Sequence, residues 1–292
     1  MTDLRERAIA LYDAFTHEHR DRRAFMREMV ALTGSAVAAE ALVAAIAASP
    51  AAAQQVKPDD PRLRTATAKG VEAGKPASAY FAAPRDAGGR KLGTVLVIHE
   101  NRGLTEHIRD VARRVALAGF RAVAPDLLAP QGGTPADEDR ARDMIAAIDM
   151  DLALRQAQAA LGRAARQRNG SGKVGVVGFC WGGAFVNRLA VAAGPALNAG
   201  VAYYGPAPDP SEASRVQAPL LLHYAGKDTR VNATGTPWVK ALEAAGKPVE
   251  AHVYPGVDHA FNNDTSAERY DAAAAKLAWD RTIAFLHAHL DG

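Results

Sequence analysis

Cys180 is the only cysteine in this 292-residue chain, and it stands in Gly178-Phe179-Cys180-Trp181-Gly182, after the apolar run Lys173-Val174-Gly175-Val176-Val177 and before a helical stretch. A nucleophile presented at a tight strand-to-helix turn is held at positive or otherwise strained φ, and small neighbours two residues before and after it let strand and helix approach. Gly178, Gly182 and Gly183 meet that demand. The helix that follows aims its first N–H groups at the reacting atom and favours a thiolate there. A buried structural cysteine in a glycine-rich turn is the plainer reading, so the decision falls to partners elsewhere in the chain.

Two such partners end later apolar runs. Asp228 follows Leu220-Leu221-Leu222-His223-Tyr224, and His259 follows Val253-Tyr254-Pro255-Gly256-Val257. Nucleophile, acid, histidine is the chain order of α/β-hydrolases. His259 would take the thiol proton and later activate water, while Asp228 would fix the imidazole tautomer and stabilise its cation. Asp258 is a rival orienter, although a carboxylate adjacent in a loop rarely reaches its neighbour's ring. An oxyanion needs two donors. Trp181 N–H supplies one, and the loop His99-Glu100-Asn101-Arg102-Gly103 offers Asn101 N–H as the other. Glu100 would then lie near the sulfur, to accept its proton or keep the resting thiol neutral; pairing with Arg102 or capping the next helix is the structural alternative. His99, Glu100 and His107 lack the i, i+4 spacing of a metalloprotease helix, so neither metal nor cofactor is expected.

Placing these residues together requires a particular frame. Ala77 to Ala82 reads as a first strand, and Thr94 to Ile98 is a continuous apolar run, as in a strand buried on both faces. Further strands are expected at Arg121 to Pro125, at the run before Cys180, at Gly200 to Tyr204, at Pro219 to Tyr224 and at Val249 to Tyr254. Helices alternate with them at Thr105 to Ala118, Ala136 to Ile148, Met150 to Arg168, Gly183 to Ala193, Thr236 to Ala245 and Ala267 to Leu290. That alternation implies a mostly parallel sheet with helices on both faces, an α/β-hydrolase fold with its site beyond the C-terminal strand ends.

The catalytic domain is expected over residues 76–292, with 54–75, rich in Pro, Lys and Asp, as a linker or N-terminal arm. Residues 1–53 differ in composition. Arg22-Arg23-Ala24-Phe25-Met26-Arg27 is a twin arginine before a hydrophobic residue, then comes an alanine-rich stretch from Met29 to Ala48 and the small residues Ser49-Pro50-Ala51-Ala52-Ala53. This order reads as a twin-arginine export signal cleaved after Ala53, with the export machinery as partner and a periplasmic or secreted destination. An ordinary N-terminal helical hairpin in a cytoplasmic protein is the alternative. The apolar stretch is too polar for a stable membrane span. A formal charge of +3, with no basic block interleaved with aromatics, excludes nucleic acid as the expected partner.

With these motifs assembled, the chain resembles a known family. Gly178-Phe179-Cys180-Trp181-Gly182-Gly183, Val97-Ile98-His99-Glu100-Asn101-Arg102-Gly103, Ala124-Pro125-Asp126-Leu127 and Pro255-Gly256-Val257-Asp258-His259-Ala260-Phe261 together look like dienelactone hydrolases (carboxymethylenebutenolidases), here their exported branch. The resemblance spans about residues 76–290. It implies a Cys-His-Asp triad at Cys180, His259 and Asp228, a thiol-switching glutamate at Glu100, oxyanion donors at Asn101 and Trp181, and hydrolysis of an enol-lactone. It also implies two arginines for a substrate carboxylate. One is replaced here by Asn263, in His259-Ala260-Phe261-Asn262-Asn263, and the other falls at Arg140 or Arg142. Arg140 is therefore a candidate substrate-binding residue; Tyr204 is a second, on the separate ground that it, Tyr203 and Trp238 are aromatics placed either to line the pocket or to pack in the core.

Sulfur narrows the substrate class. A tetrahedral intermediate formed by thiolate on a simple alkyl ester expels the weaker base, the thiolate, so forward reaction needs a better leaving group. Enol esters, aryl esters, lactones of enols and thioesters provide one. Two alternatives use the same residues differently: an exported thiol protein for redox sensing, which leaves His259 and Asp228 without a task, and a non-catalytic binding module on the same fold.

Overall fold

The computed structural model describes residues 4–17, 20–47 and 55–292; the expected cleavage point after Ala53 lies outside them. Eight strands form one sheet: β1 (Leu63–Glu72), β2 (Lys75–Pro84), β3 (Leu92–Ile98), β4 (Arg121–Pro125), β5 (Gly170–Phe179), β6 (Ala199–Tyr203), β7 (Leu220–Ala225) and β8 (Val249–Tyr254). Their spatial order is β1-β2-β4-β3-β5-β6-β7-β8. β1 and β2 are antiparallel to their neighbours, and β3 through β8 run parallel to one another. The mostly parallel frame read from the sequence is thus present. It is an α/β-hydrolase fold.

The apolar runs form the central strands because both faces of the sheet are covered. All residues of β3, β6 and β7 are buried. Val95 and Val97 join one core, with Val111 and Val115 of α4 (Glu106–Leu117) and Leu286 of α9 (Ala272–Leu290). Leu96 and Ile98 join the opposite core, with Leu161 of α6 (Met150–Ala165), Leu189 of α7 (Trp181–Ala192) and Trp238 of α8 (Thr229–Ala244). Alternate side chains point to alternate faces, and each such burial is worth about 1.5–3 kcal/mol. α5 (Glu138–Ala146), α6, α8 and α9 each start on an aspartate whose carboxylate accepts a first-turn N–H.

Residues 63–72 depart from the linker or arm expected there. They form β1, which pairs with β2 through a hairpin turn at Ala73-Gly74, both at positive φ. β1 is mostly exposed on both faces, so it carries no apolar alternation from which a strand could be read. Element boundaries move as well, among them the helix starts, with α7 at Trp181, α8 at Thr229 and α9 at Ala272.

The N-terminal segment folds as α1 (Leu4–His17), α2 (Arg22–Thr33) and α3 (Ala36–Ile46), around a small core that includes Tyr12, Phe15, Phe25, Met29 and Ile46. Phe15 and Phe25 stack with ring centroids 4.4 Å apart. Among the described residues no single helix is long and apolar enough to cross a membrane; α2 and α3 are bent by 108° to each other. The twin arginines open α2 and are exposed, with Arg22 paired to Asp139.

A buried ion network fastens the loop after β8 to α4. Asp264 accepts from Arg114 at 2.6 Å and lies 3.2 Å from His107 Nδ1, while Arg114 also pairs with the fully buried Asp110. Burial raises the Asp264 carboxyl, but the hydrogen bond from His107 and the charge of Arg114 outweigh it and hold it at about 2. The folded value lies below the unfolded carboxyl near 3.9, so the contribution is complete above about pH 4 and lost as pH falls toward 2. Asp264→Asn is expected to cost about 2–4 kcal/mol at pH 7, below the full cost of a broken buried pair because Arg114 keeps Asp110 and the site is partly wet. Urea unfolding of both proteins at pH 7 and pH 2.5 checks this, the gap shrinking at the lower pH.

Candidate active site

Cys180 terminates β5 at φ 54°, ψ −114° and is 5% exposed. The glycines around it are required by contact with backbone. A Cβ on Gly178 would sit 2.2 Å from Gly182 O, and one on Gly182 would sit 2.5 Å from His99 O. No flexible side chain could give way at either place. Trp181 is the first residue of α7, so its N–H has no carbonyl partner one turn back in the helix. Among the described non-glycine residues, four have positive φ: Ala73 in the hairpin turn, and Cys180, Tyr204 and Ala260 around this site. Backbone strain is concentrated where the side chains converge.

Asp228 follows β7 and caps α8. Its Oδ1 accepts Val231 N–H at 3.0 Å, and its Oδ2 accepts His259 Nδ1 at 2.5 Å. His259, after β8, is 3% exposed. Burial alone would lower its pKa. The charge of an ionised Cys180, hydrogen bonds with Asp228 and Cys180 and the Asp228 charge outweigh that and push it up to about 10. Burial likewise raises Asp228, but the His259 hydrogen bond and charge bring its carboxyl below the usual range. Asp258 is not the orienter; its carboxyl is raised by burial and its neighbouring cations are Lys227 and Arg5.

The loop after β3 faces the same cavity. Glu100, Asn101 and Arg102 line it together with Cys180, His259, Asn263 and Arg269. Glu100 Oε2 accepts from Asn263 Nδ2 at 3.0 Å, and Asn263 Oδ1 in turn accepts from Thr265 N–H at 3.1 Å and its hydroxyl at 2.6 Å. Buried His99 fixes the loop backbone. Its Nδ1 bonds Glu100 O at 2.8 Å, its Nε2 accepts Leu127 N–H at 3.2 Å, and burial lowers its pKa, so the ring is neutral. His99 also stacks on Trp181, with centroids 5.7 Å apart.

The two substrate-binding candidates part company. Tyr204 is fully buried beside His259, with ring centroids 5.0 Å apart, and burial followed by the charges of Glu100 and Cys180 raises its phenol far above the usual value. Arg140 is corrected. It lies exposed on α5, its backbone N–H on the Asp137 cap, and does not line the cavity. Arg142, two residues on, faces Phe15 at 4.2 Å instead. Tyr203 and Trp238 are core residues. The arginines that do line the cavity are Arg102 and Arg269; the sequence marks Arg102 only as a pairing partner for Glu100 and does not mark Arg269.

An elbow cysteine, a histidine and an aspartate that follow β5, β8 and β7 stand in one arrangement. The Dienelactone hydrolase family matches residues 77–290. The chain belongs to the dienelactone hydrolase family. An Escherichia coli K12 protein named "Putative carboxymethylenebutenolidase" is 34% identical over 252 residues, covering 81% of this chain and 92% of its own. A "Putative Dienelactone Hydrolase" structure from Klebsiella pneumoniae superposes with TM-score 0.70 at 31% identity, over 78% of this chain and 99% of that one. A thermostable esterase of Pseudomonas putida, at 17% identity and TM-score 0.62 over 84% of this chain and 91% of its own, shares the fold. The chain is therefore a hydrolase of the carboxymethylenebutenolidase type. The family match leaves α1, α2, α3 and β1 outside it.

Proposed function

We propose that this dienelactone hydrolase relative is a cysteine-dependent hydrolase of activated esters or lactones that acts through a thioester acyl-enzyme, and that it is exported by the twin-arginine route. One observation carries the chemical part: the imidazole of His259 is held by Asp228 on one side and faces Cys180 on the other, with its pKa pushed up to about 10. An imidazole oriented by a carboxylate and facing a thiol is placed to take the thiol proton and to hold the resulting charge.

In this reading the Cys180 proton passes to His259, and sulfur adds to the acyl carbon as the carbonyl electron pair moves to oxygen. The N–H groups of Trp181 and Asn101 receive that oxyanion. Collapse breaks the acyl–oxygen bond, the leaving enolate or aryloxide takes the proton from His259, and a thioester remains on Cys180. Water then gives a proton to His259 and adds to the thioester, and cleavage of the carbon–sulfur bond returns the thiol. Glu100, tethered by Asn263, serves as the second proton site near the sulfur. Asn263 cannot grip a carboxylate as an arginine fork does, which favours activated esters beyond acidic dienelactones. Exposure of the twin arginines at the start of α2 supports recognition by the export machinery.

The test takes protein from the cytoplasmic and exported fractions of a producing cell, mixes each with an aryl ester, quenches in acid and records intact and peptide masses. The expected result is an acyl adduct on the peptide containing Cys180, and in the exported fraction a chain that starts after residue 53. An adduct on another residue would sink the thioester step; an exported fraction devoid of the protein would sink the route.

A further inference from the structure

Helix α1 lies across the mouth of the Cys180 site. The cavity bounded by Tyr12, Thr16, Glu100, Cys180, His259 and Arg269 holds about 20 Å³, little more than the space of one water. On either side of α1 the space opens again. One chamber of about 320 Å³ lies between Tyr12, Phe15, Phe25 and the Asn101–Arg102 loop. Another of about 420 Å³ lies between Glu6, Ile9, Asp13 and the pair Asp228 and His259. Both chambers share walls with the cavity over the thiol: Tyr12, Thr16, Asn101 and Arg102 for the first, and His259 for the second.

The contacts under α1 use groups that face the site. Asn101 Nδ2 donates to Thr16 O at 3.2 Å, Arg102 donates to the Tyr12 hydroxyl, and Arg269 pairs with Asp13 at 3.2 Å and covers the Tyr12 ring. Two rim ion pairs, Arg5 with Glu268 at 2.7 Å and Glu6 with Lys227 at 2.9 Å, flank them. The segment has its own stacked aromatic core and lies outside the family match, so it can leave as a unit without opening the sheet.

We propose that residues 4–46 are an intramolecular inhibitor: α1 closes the Cys180 site to esters, and activity is released when the segment swings away or is cut from the catalytic domain. The effect on hydrolysis rests on the thiol-hydrolase reading, whereas closure itself does not.

The experiment replaces residues 50–53 of the full chain with a recognition site for a specific protease and cuts the folded protein. It reads Cys180 alkylation by a small neutral haloacetamide and, separately, kcat/KM for an aryl ester. Cutting removes the tether's effective concentration, so on dilution both rates should rise by about 100-fold or more. Size exclusion shows whether the segment has left; where it stays, the full-chain double variant Glu6→Arg, Glu268→Arg decides, with an expected rise of about tenfold as both rim pairs turn repulsive. Faster alkylation without faster hydrolysis upholds closure and overturns the thiol-hydrolase reading. Alkylation unchanged after departure of the segment, or in the double variant, overturns closure.

Discussion

Replacing Cys180 with alanine is expected to lower kcat/KM for an aryl acetate by roughly 10⁴–10⁶-fold, the scale of losing the nucleophile from a triad that works as a unit. The change removes a single sulfur from a residue that is 5% exposed, and it leaves the backbone demand unchanged, because alanine and cysteine meet the same strain at φ 54°. Stability should therefore fall by only about 1 kcal/mol. Thermal unfolding beside steady-state kinetics separates the two effects. A variant that keeps more than a hundredth of the wild-type rate would show that the thiol is not the nucleophile.

Asp228→Asn is the second large effect, expected at roughly 10³–10⁴-fold in kcat/KM. The substitution is selective because the two carboxylate oxygens have separate duties. Oδ1 caps α8 through Val231 N–H, which an asparagine oxygen still does, and Oδ2 holds His259 Nδ1, where an amide would favour the wrong tautomer. It also carries a pH signature. The Asp228 hydrogen bond and charge are two of the influences that raise His259 to about 10. In the wild type the alkaline limb of kcat/KM should lie near that value, where the imidazolium that protonates the leaving group is lost. Removing the carboxylate lowers the imidazolium pKa, so the limb moves to lower pH. A pH–rate profile with an unmoved limb would show that His259 is not the group titrating there.

The elbow and the strand-end positions of Asp228 and His259 are legible in sequence because their constraints are local. Gly178 and Gly182 are dictated by backbone atoms a few residues away in the turn or on the adjacent strand end, and β3, β6 and β7 announce themselves by continuous apolar runs. β1 is silent for the opposite reason: exposed on both faces, it has no burial for a pattern to encode. Arg140 fails through helix geometry. Each residue turns the helix by about 100°, so a position two from Arg142 faces solvent while Arg142 faces Phe15. Arg269 and Tyr12 are brought to the thiol by packing between segments more than two hundred residues apart, a relation no short motif carries. Asn263 shows a middle case. Its type marks a missing arginine, and only the fold reveals that it tethers Glu100.

The solitary, covered thiol has a further consequence, in redox terms. With no second cysteine anywhere in the chain, a sulfenic acid formed at Cys180 has no internal thiol with which to condense, so each oxidation advances toward the irreversible sulfinic state unless an external thiol intervenes. The lid that leaves room for about one water over the sulfur also narrows the path for peroxide. Thiol titration of the unfolded chain consequently counts intact Cys180 thiols one for one, and any shortfall from one equivalent measures the fraction of molecules that oxidation has retired.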